Sequence, residues 1–190
     1  MDLYKKIFYK KKILIYGLGK TGISGYQYLK RNNQIFLYDD NKNIFIQKNH
    51  KKFLLNKNKI RKTEFDFILI SPGINIDKCL LKNYLKKNRK KIISDLDIFY
   101  SHHSNNKIIT ITGTNGKSTT AKLLDLILKD HKKDSGLCGN IGNPILSQKK
   151  ISKKTLFVVE ASSYQIAYSQ LFKTNYAIIL NISPDHLERH

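Results

Sequence analysis

Lys107–Lys122, KIITITGTNGKSTTAK, decides how the rest of the chain is read. Ile108, Ile109, Thr110, Ile111 and Thr112 form a β-branched run suited to a buried strand, and Ala121, Leu123, Leu124, Ile127 and Leu128 then recur at helical spacing. Between them lies Gly113-Thr114-Asn115-Gly116-Lys117-Ser118, followed by Thr119. Strand, glycine turn and helix together are the layout of a phosphate-binding loop. Backbone N–H groups at the helix start cup the anion, Lys117 reaches its terminal oxygens, and Ser118 holds a magnesium ion. The pattern G-x-x-x-x-G-K-[ST] asks for glycine where Ile111 stands, so only its second half is present. An ordinary Gly-Asn turn with Lys117 in solvent would share these letters. The flanking strand and helix favour phosphate, with ATP the expected ligand.

Upstream, Lys12–Tyr16 reads as a strand, followed by Gly17-Leu18-Gly19-Lys20-Thr21-Gly22 and a helix through Ile23, Tyr26, Tyr28 and Leu29. This is G-x-G-x-x-G in a strand-to-helix context. A second strand, Gln34–Tyr38, ends in Asp39 and Asp40, near where a Rossmann unit keeps its ribose-binding acid. Taken alone, this segment suits a dinucleotide such as NAD. The same device would grip another nucleotide-like ligand, since the glycines only secure close approach of backbone to phosphate. A third strand, Phe65–Ile70, ends in Ser71-Pro72-Gly73, which is either a ligand-binding carboxyl end or a common turn. Helices are expected around 44–55, 77–87 and 95–103, with a short strand at Ile92 and Ile93. Ser101–Asn106 reads as a linker, dividing a first domain at 1–100 from a second at 107–190. His102 and His103 are adjacent and cannot share one helical face as metal ligands, so they are expected to face solvent.

Beyond the phosphate loop, Gly136–Pro144 is too rich in glycine for a regular element by this reading. Thr155–Val159 is a buried strand ending at Glu160. A carboxylate there suits a magnesium-linked acid, although an ordinary strand-end acid would look the same. Tyr176–Ile182 is a last strand, leading into Ser183-Pro184-Asp185-His186.

The chain of 190 residues is 41% hydrophobic, enough for a globular core. Its 35 Lys and Arg against 14 Asp and Glu give +21, a balance that on its own suggests nucleic acid or an acidic membrane surface. The lysines are instead scattered among Asn and Ile, as at Lys10–Lys12, Lys57–Arg61, Lys86–Lys91 and Lys149–Lys154, and no nucleic-acid module accompanies them. A solvated face is expected, with no nucleic-acid and no membrane partner. Cys79 and Cys138 have neither zinc nor disulfide-framework spacing, and no signal-peptide core opens the sequence. A reduced, cytoplasmic setting is expected.

With these segments in hand, the sequence resembles the Mur ligases of peptidoglycan synthesis. GLGKTGIS, SPGI, ITGTNGKSTT, GNIGNP, VVEASSYQ and NISPDHLERH stand in that family's order, and EASSYQ is similar to the ELSSFQ of its glutamate-adding members. The resemblance implies an α/β fold: a Rossmann-like parallel-sheet domain for the UDP part of a nucleotide sugar, then a P-loop central domain. It implies that Leu18, Thr21, Asp39, Ser71, Pro72 and Gly73 contact uridine or diphosphate, with Asn140 reaching the same substrate and Ser162 helping to position it. Gly113 to Thr119 would bind ATP, Lys117 acting catalytically on its phosphates, while Ser118, Glu160 and His186 organise magnesium. The implied reaction adds D-glutamate to UDP-N-acetylmuramoyl-L-alanine through an acyl phosphate. The family also carries a bridging lysine after the Asp-His motif and a C-terminal domain, which this sequence lacks. A truncated form is therefore expected, with a separately encoded C-terminal half as a possible partner, or a nucleotide-binding remnant without ligase activity.

Overall fold

The computed structural model describes residues 3–41, 43–44, 48–149 and 151–185. β1 (Lys12–Tyr16), β2 (Gln34–Tyr38), β3 (Phe67–Ile70) and β4 (Ile92–Ile93) form a parallel sheet in the order β2-β1-β3-β4. β5 (Ile108–Thr112), β6 (Ser135–Gly139), β7 (Leu156–Glu160) and β8 (Tyr176–Ile179) form another, also parallel, in the order β6-β7-β5-β8. Ile13, Leu14, Ile15 and Tyr16 of β1 are wholly inaccessible, as a central parallel strand covered on both faces requires. The α/β fold with parallel sheets expected from the sequence is thus present.

The helices follow from the same pattern. α1 (Lys20–Leu29) leaves the first glycine turn, and α6 (Lys117–Asp130) leaves the second. α6 turns Ala121, Leu124 and Leu128 onto Ile111, Val158 and Leu137. Its Leu123, Leu126 and Ile127 are exposed, so the apolar positions wrap further round the helix than this sheet covers.

Some expected elements differ. In the described part of 44–55 only α2 (Lys48–Lys51) is helical, and Leu54 pairs with the open edge of β2. Leu37 N–H donates to Phe53 O and Leu55 N–H to Leu37 O, so edge pairing wins over helix there. α3 (Lys57–Lys62) follows, capped by Asn56. The helix expected at 77–87 is confined to α4 (Lys82–Lys87). The residues before it are held in turns by Asn75 Oδ1 and by Asp40, which accept from the N–H groups of Asp77 and Leu80. Gly136–Pro144 begins inside an edge strand rather than an irregular loop. At Gly136 a Cβ would meet the Phe157 ring at 3.5 Å, an ordinary contact, so nothing at this position opposes the strand.

The stretch expected to be a linker is structured. α5 (Asp95–His103) runs through Ser101, and buried Asn106 donates to the carbonyls of Ser152 and Thr155. His102 and His103 do not simply face solvent: His102 meets the Tyr28 ring at 5.2 Å, and His103 stacks at 4.8 Å from Phe99.

α5 joins the sheets. Phe99 meets Phe157 edge-on at 4.8 Å, and Ile93, Leu96 and Phe99 share a buried cluster with Ile108, Cys138 and Val159. Asp97 Oδ1 accepts from the backbone N–H groups of Gln170, Leu171 and Phe172, while its Oδ2 accepts from Ser94 N–H in a capping box. Asp95 accepts from Gln165 Nε2 at 3.0 Å, and burial pushes its carboxyl up to about 6.

Asp97→Ala leaves those backbone donors without their acceptor and is expected to cost at least about 3 kcal/mol in urea unfolding; a loss below about 1 kcal/mol would contradict this role. Asp95 carries a pH signature of definite sign. Its folded carboxyl lies above the ordinary 3.8, so its proton-linked stabilisation is complete below that value and is lost as pH rises through about 6. Relative to Asp95→Asn, the wild-type urea midpoint should therefore fall between about pH 4 and about pH 7, and a flat difference would exclude the linkage.

Candidate functional site

β5 and β7 are neighbours, with Ile111 opposite Glu160 and Ala161 N–H donating to Ile111 O at 3.0 Å. This register sets the loop after β5 beside the acid that ends β7. Gly113 and Gly116 take φ of 139° and 82°, values that disfavour any side chain, and α6 starts directly from Gly116. The first-turn amides of α6, from Lys117 to Thr119, have no intrahelical acceptor. Such unpaired amides at a helix start can face an anion.

Lys117 Nζ lies over this loop, donating to Gly113 O at 2.7 Å and Thr114 O at 2.8 Å. Ser118 Oγ donates to Glu160 Oε2 at 2.8 Å, and Asn140 Nδ2 to Glu160 Oε1 at 3.3 Å. Glu160 is 2% exposed, and its backbone oxygen accepts from Asn140 N–H at 2.8 Å. That approach requires Gly139, where φ is 107° and a Cβ would lie 2.2 Å from Glu160 O. Ser118 and Glu160 thus meet as expected, while His186 lies outside the described residues. Their oxygens suit a hard divalent cation that completes its shell with water and phosphate. No group of at least 3 His, Cys, Asp or Glu that could hold a metal occurs among the described residues.

The expected nucleotide-sugar residues fall into separate places. Leu18, Asp39 and Ser71 converge at the carboxyl edge of the first sheet, where Asp39 holds Leu18 and Ser71 holds the neighbouring Gly17. Leu18 N–H donates to Asp39 Oδ2 at 2.6 Å, Asn41 N–H to Asp39 Oδ1 at 2.9 Å, and Ser71 Oγ to Gly17 O at 2.7 Å. Leu18 is buried, and Thr21 stands in the first turn of α1, its carbonyl accepting from Ser24 Oγ. Gly22 packs so closely on this turn that a Cβ would lie 1.9 Å from Gly17 O. Pro72, Gly73, Asn140 and Ser162 instead line a cleft of about 940 Å³ together with Gly113 and Lys117. Ser162 caps α7 (Ser163–Tyr168), a helix absent from the sequence reading.

Sequence reasoning also missed Asn181. Its Oδ1 accepts from Asn115 N–H at 2.8 Å, its Nδ2 donates to Asn115 O at 3.1 Å, and its carbonyl accepts from Thr114 N–H at 3.1 Å. The available signal was a polar residue interrupting Tyr176–Ile182 at the carboxyl end of a strand beside β5.

Fold and loop together define an α/β protein with a glycine turn leading from a parallel strand into a helix. Residues 111–190 match the Mur ligase middle domain. The UDP-N-acetylmuramoylalanine--D-glutamate ligase of Rickettsia bellii is 39% identical over 184 residues, covering 95% of this chain and 40% of that protein. The same-named protein of Caldicellulosiruptor bescii is 35% identical, with 95% and 41% covered. A crystal structure of the UDP-N-acetylmuramate:L-alanyl-gamma-D-glutamyl-meso-diaminopimelate ligase from Neisseria meningitides shares the fold. Its TM-score is 0.53 at 16% identity, with 95% of this chain and 63% of that chain covered. The chain is thus similar to Mur ligases along nearly its whole length, with the middle-domain match confined to residues 111–190. It spans about 40% of the length of the curated relatives it matches.

Asn181→Ala removes both side-chain bonds that hold the loop at Asn115. The Asn115 amide should then exchange with deuterium at least about ten-fold faster, while amides of β1 stay unchanged. Equal protection in both proteins would show that the loop holds its shape without Asn181.

Proposed function

We propose that this chain supplies the nucleotide-sugar and ATP sites of an ATP-dependent amide ligase of peptidoglycan precursor synthesis, which adds D-glutamate to UDP-N-acetylmuramoyl-L-alanine. The observation that carries the proposal is the convergence of Ser118 with Glu160 at 2.8 Å beside the loop that carries Lys117, at one end of a cleft shared with Pro72, Gly73, Asn140 and Ser162. Residues 1–100 are proposed to take the UDP part, with Leu18, Thr21, Asp39 and Ser71 shaping its loop. Residues 107–190 are proposed to take ATP, and a cytoplasmic setting fits both ligands.

In this reading the alanyl carboxylate attacks the γ-phosphorus of ATP and the bond to the bridging oxygen of ADP breaks. The resulting acyl phosphate is attacked by the amine of D-glutamate, and phosphate leaves. Lys117 supports the first step by exchanging its bonds to Gly113 O and Thr114 O for γ-phosphate oxygens. Ser118 and Glu160 would hold magnesium, with His186 proposed beside them, and the ion when bound supplies neutralising charge to the phosphates. The cleft walls position the reacting ends.

A nicotinamide cofactor is the rival reading of the first glycine loop. Against it, Asp39 already accepts from two backbone N–H groups of its own fold, and an NAD enzyme has no use for the loop at Lys117. Titration of the protein should show binding of UDP-N-acetylmuramoyl-L-alanine in preference to NAD, and the reverse preference would overturn the ligase reading. Lys117→Ala should weaken ATP at least about ten-fold without altering the nucleotide sugar. Phosphate release dependent on both D-glutamate and the nucleotide sugar is proposed to require a polypeptide supplying the remaining length of the relatives. Full turnover by these 190 residues alone would refute that requirement.

The +21 charge is assigned to solvated faces and to attraction of anionic substrates. Submicromolar, sequence-selective nucleic-acid binding in a gel shift at physiological salt would refute this assignment.

A further inference from the structure

Ser162 stands in the cleft wall with its hydroxyl held by hydrogen bonds of fixed polarity. Its Oγ donates to Gln165 Oε1 at 3.1 Å and accepts from Gln165 N–H at 3.3 Å. Gln165 Oε1 also accepts from Ser162 N–H at 3.1 Å. The other end of that amide faces Asp95: Nε2 donates to the carboxylate oxygens at 3.0 and 3.2 Å. Above about pH 6, where Asp95 is ionised, its carboxylate offers no hydrogen, so it accepts only the NH₂ end of Gln165 and turns the amide oxygen towards Ser162. Gln165 and Asp95 are each 2% exposed, so no bulk water competes for either end.

The consequence is chemical. A serine hydroxyl has one hydrogen to give and two lone pairs to offer. The hydrogen is committed to Gln165 Oε1 and one lone pair to Gln165 N–H, which leaves a single acceptor site. We propose that Asp95 and Gln165 are positioning residues that make Ser162 an acceptor only, so that it recognises a hydroxyl or N–H group of the bound substrate and rejects a phosphate or carboxylate oxygen. This inference rests on reading the cleft as the nucleotide-sugar site, whose sugar hydroxyls and amides supply such donors. It also divides the cleft by charge: anionic oxygens belong at Lys117 and the first turn of α6, and neutral donors belong at the Ser162 wall.

Calorimetric titration of the 190-residue protein with UDP-N-acetylmuramoyl-L-alanine and, separately, ATP tests the assignment. Ser162→Ala should weaken the nucleotide sugar about ten-fold, the worth of one hydrogen bond, and leave ATP within about two-fold. Asp95→Asn lets residue 95 offer an N–H to Gln165 and frees the amide to turn, so it should weaken the nucleotide sugar in the same direction with ATP unchanged. In isotopically labelled protein, through-hydrogen-bond couplings are expected from Ser162 N to Gln165 Cδ and from Gln165 Nε2 to Asp95 Cγ, the first of them diminished in Asp95→Asn. Loss of ATP affinity instead of sugar affinity, an unchanged sugar affinity in either variant, or absent couplings in the wild type would overturn the proposal. Failure of the wild-type protein to bind the nucleotide sugar is a separate result that overturns the ligase reading, and the couplings then still decide the polarity of Ser162.

Discussion

Ile111 lies opposite Glu160 in the parallel ladder between β5 and β7, and this register brings a helix start and a carboxylate to the same sheet edge. Were β7 shifted by one residue, the strand's alternation would turn Glu160 to the opposite face, away from Ser118. The ladder is held in turn by burial. Val158 and Val159 are inaccessible, and each buried apolar side chain of this size contributes about 1.5–3 kcal/mol to keeping its face inward. The 2.8 Å bond between Ser118 and Glu160 is therefore a consequence of strand pairing, and contributes less to the fold than the strands that create it.

Backbone contacts at this edge are tight because glycine lets them be. Gly139 brings the end of β6 onto Glu160 O, and Gly22 brings α1 onto Gly17 O, in both places with no room for a Cβ. One contact delivers Asn140 to the buried carboxylate, and the other closes the first loop, whose Leu18 amide is taken by Asp39. The same device thus serves a side-chain cluster in one sheet and a self-bonded turn in the other.

This distinction explains what could be read in advance. Lys12–Tyr16, Gln34–Tyr38, Asp95–His103 and Ile108–Thr112 were legible because apolar periodicity and capping residues are local signals, and the structure has these elements at those bounds. Ser118 with Glu160 was legible because both follow strands, and parallel strands share a carboxyl edge. Asn181 was not, since its value lies in bonds to Asn115, far away in sequence. Residues 136–139 were misread because glycine lowers strand propensity locally, while packing against Phe157 favours a strand through tertiary contact. The polar stretch after Ser101 looked like solvent-exposed chain because sequence cannot say that Asn106 finds buried carbonyls near Thr155. The division between the self-bonded cluster of Leu18, Asp39 and Ser71 and the cleft lined by Pro72 and Gly73 was invisible for the same reason.

The cleft lies between sheets that α5 ties together, and magnitudes decide which of its parts can respond to a ligand. Parting the sheets would expose the edge-on contact of Phe99 with Phe157 and strip Asp97 of the donors at 170–172. Hydrogen bonds to a buried charge are worth about 1.5–3 kcal/mol each, so that opening competes with a large share of the stability of an ordinary domain. Lys117 faces a smaller cost. It holds neutral carbonyls at 2.7 and 2.8 Å, and a phosphate oxygen replaces them with a partner of opposite charge. Adjustment to an anion therefore falls to the lysine and the loop beneath it, while Asp95 and Asp97 keep the opposite wall fixed. A wall held in that way can carry hydrogen-bond polarity as a property of the fold, because the groups that set it are buried and bonded within the fold itself.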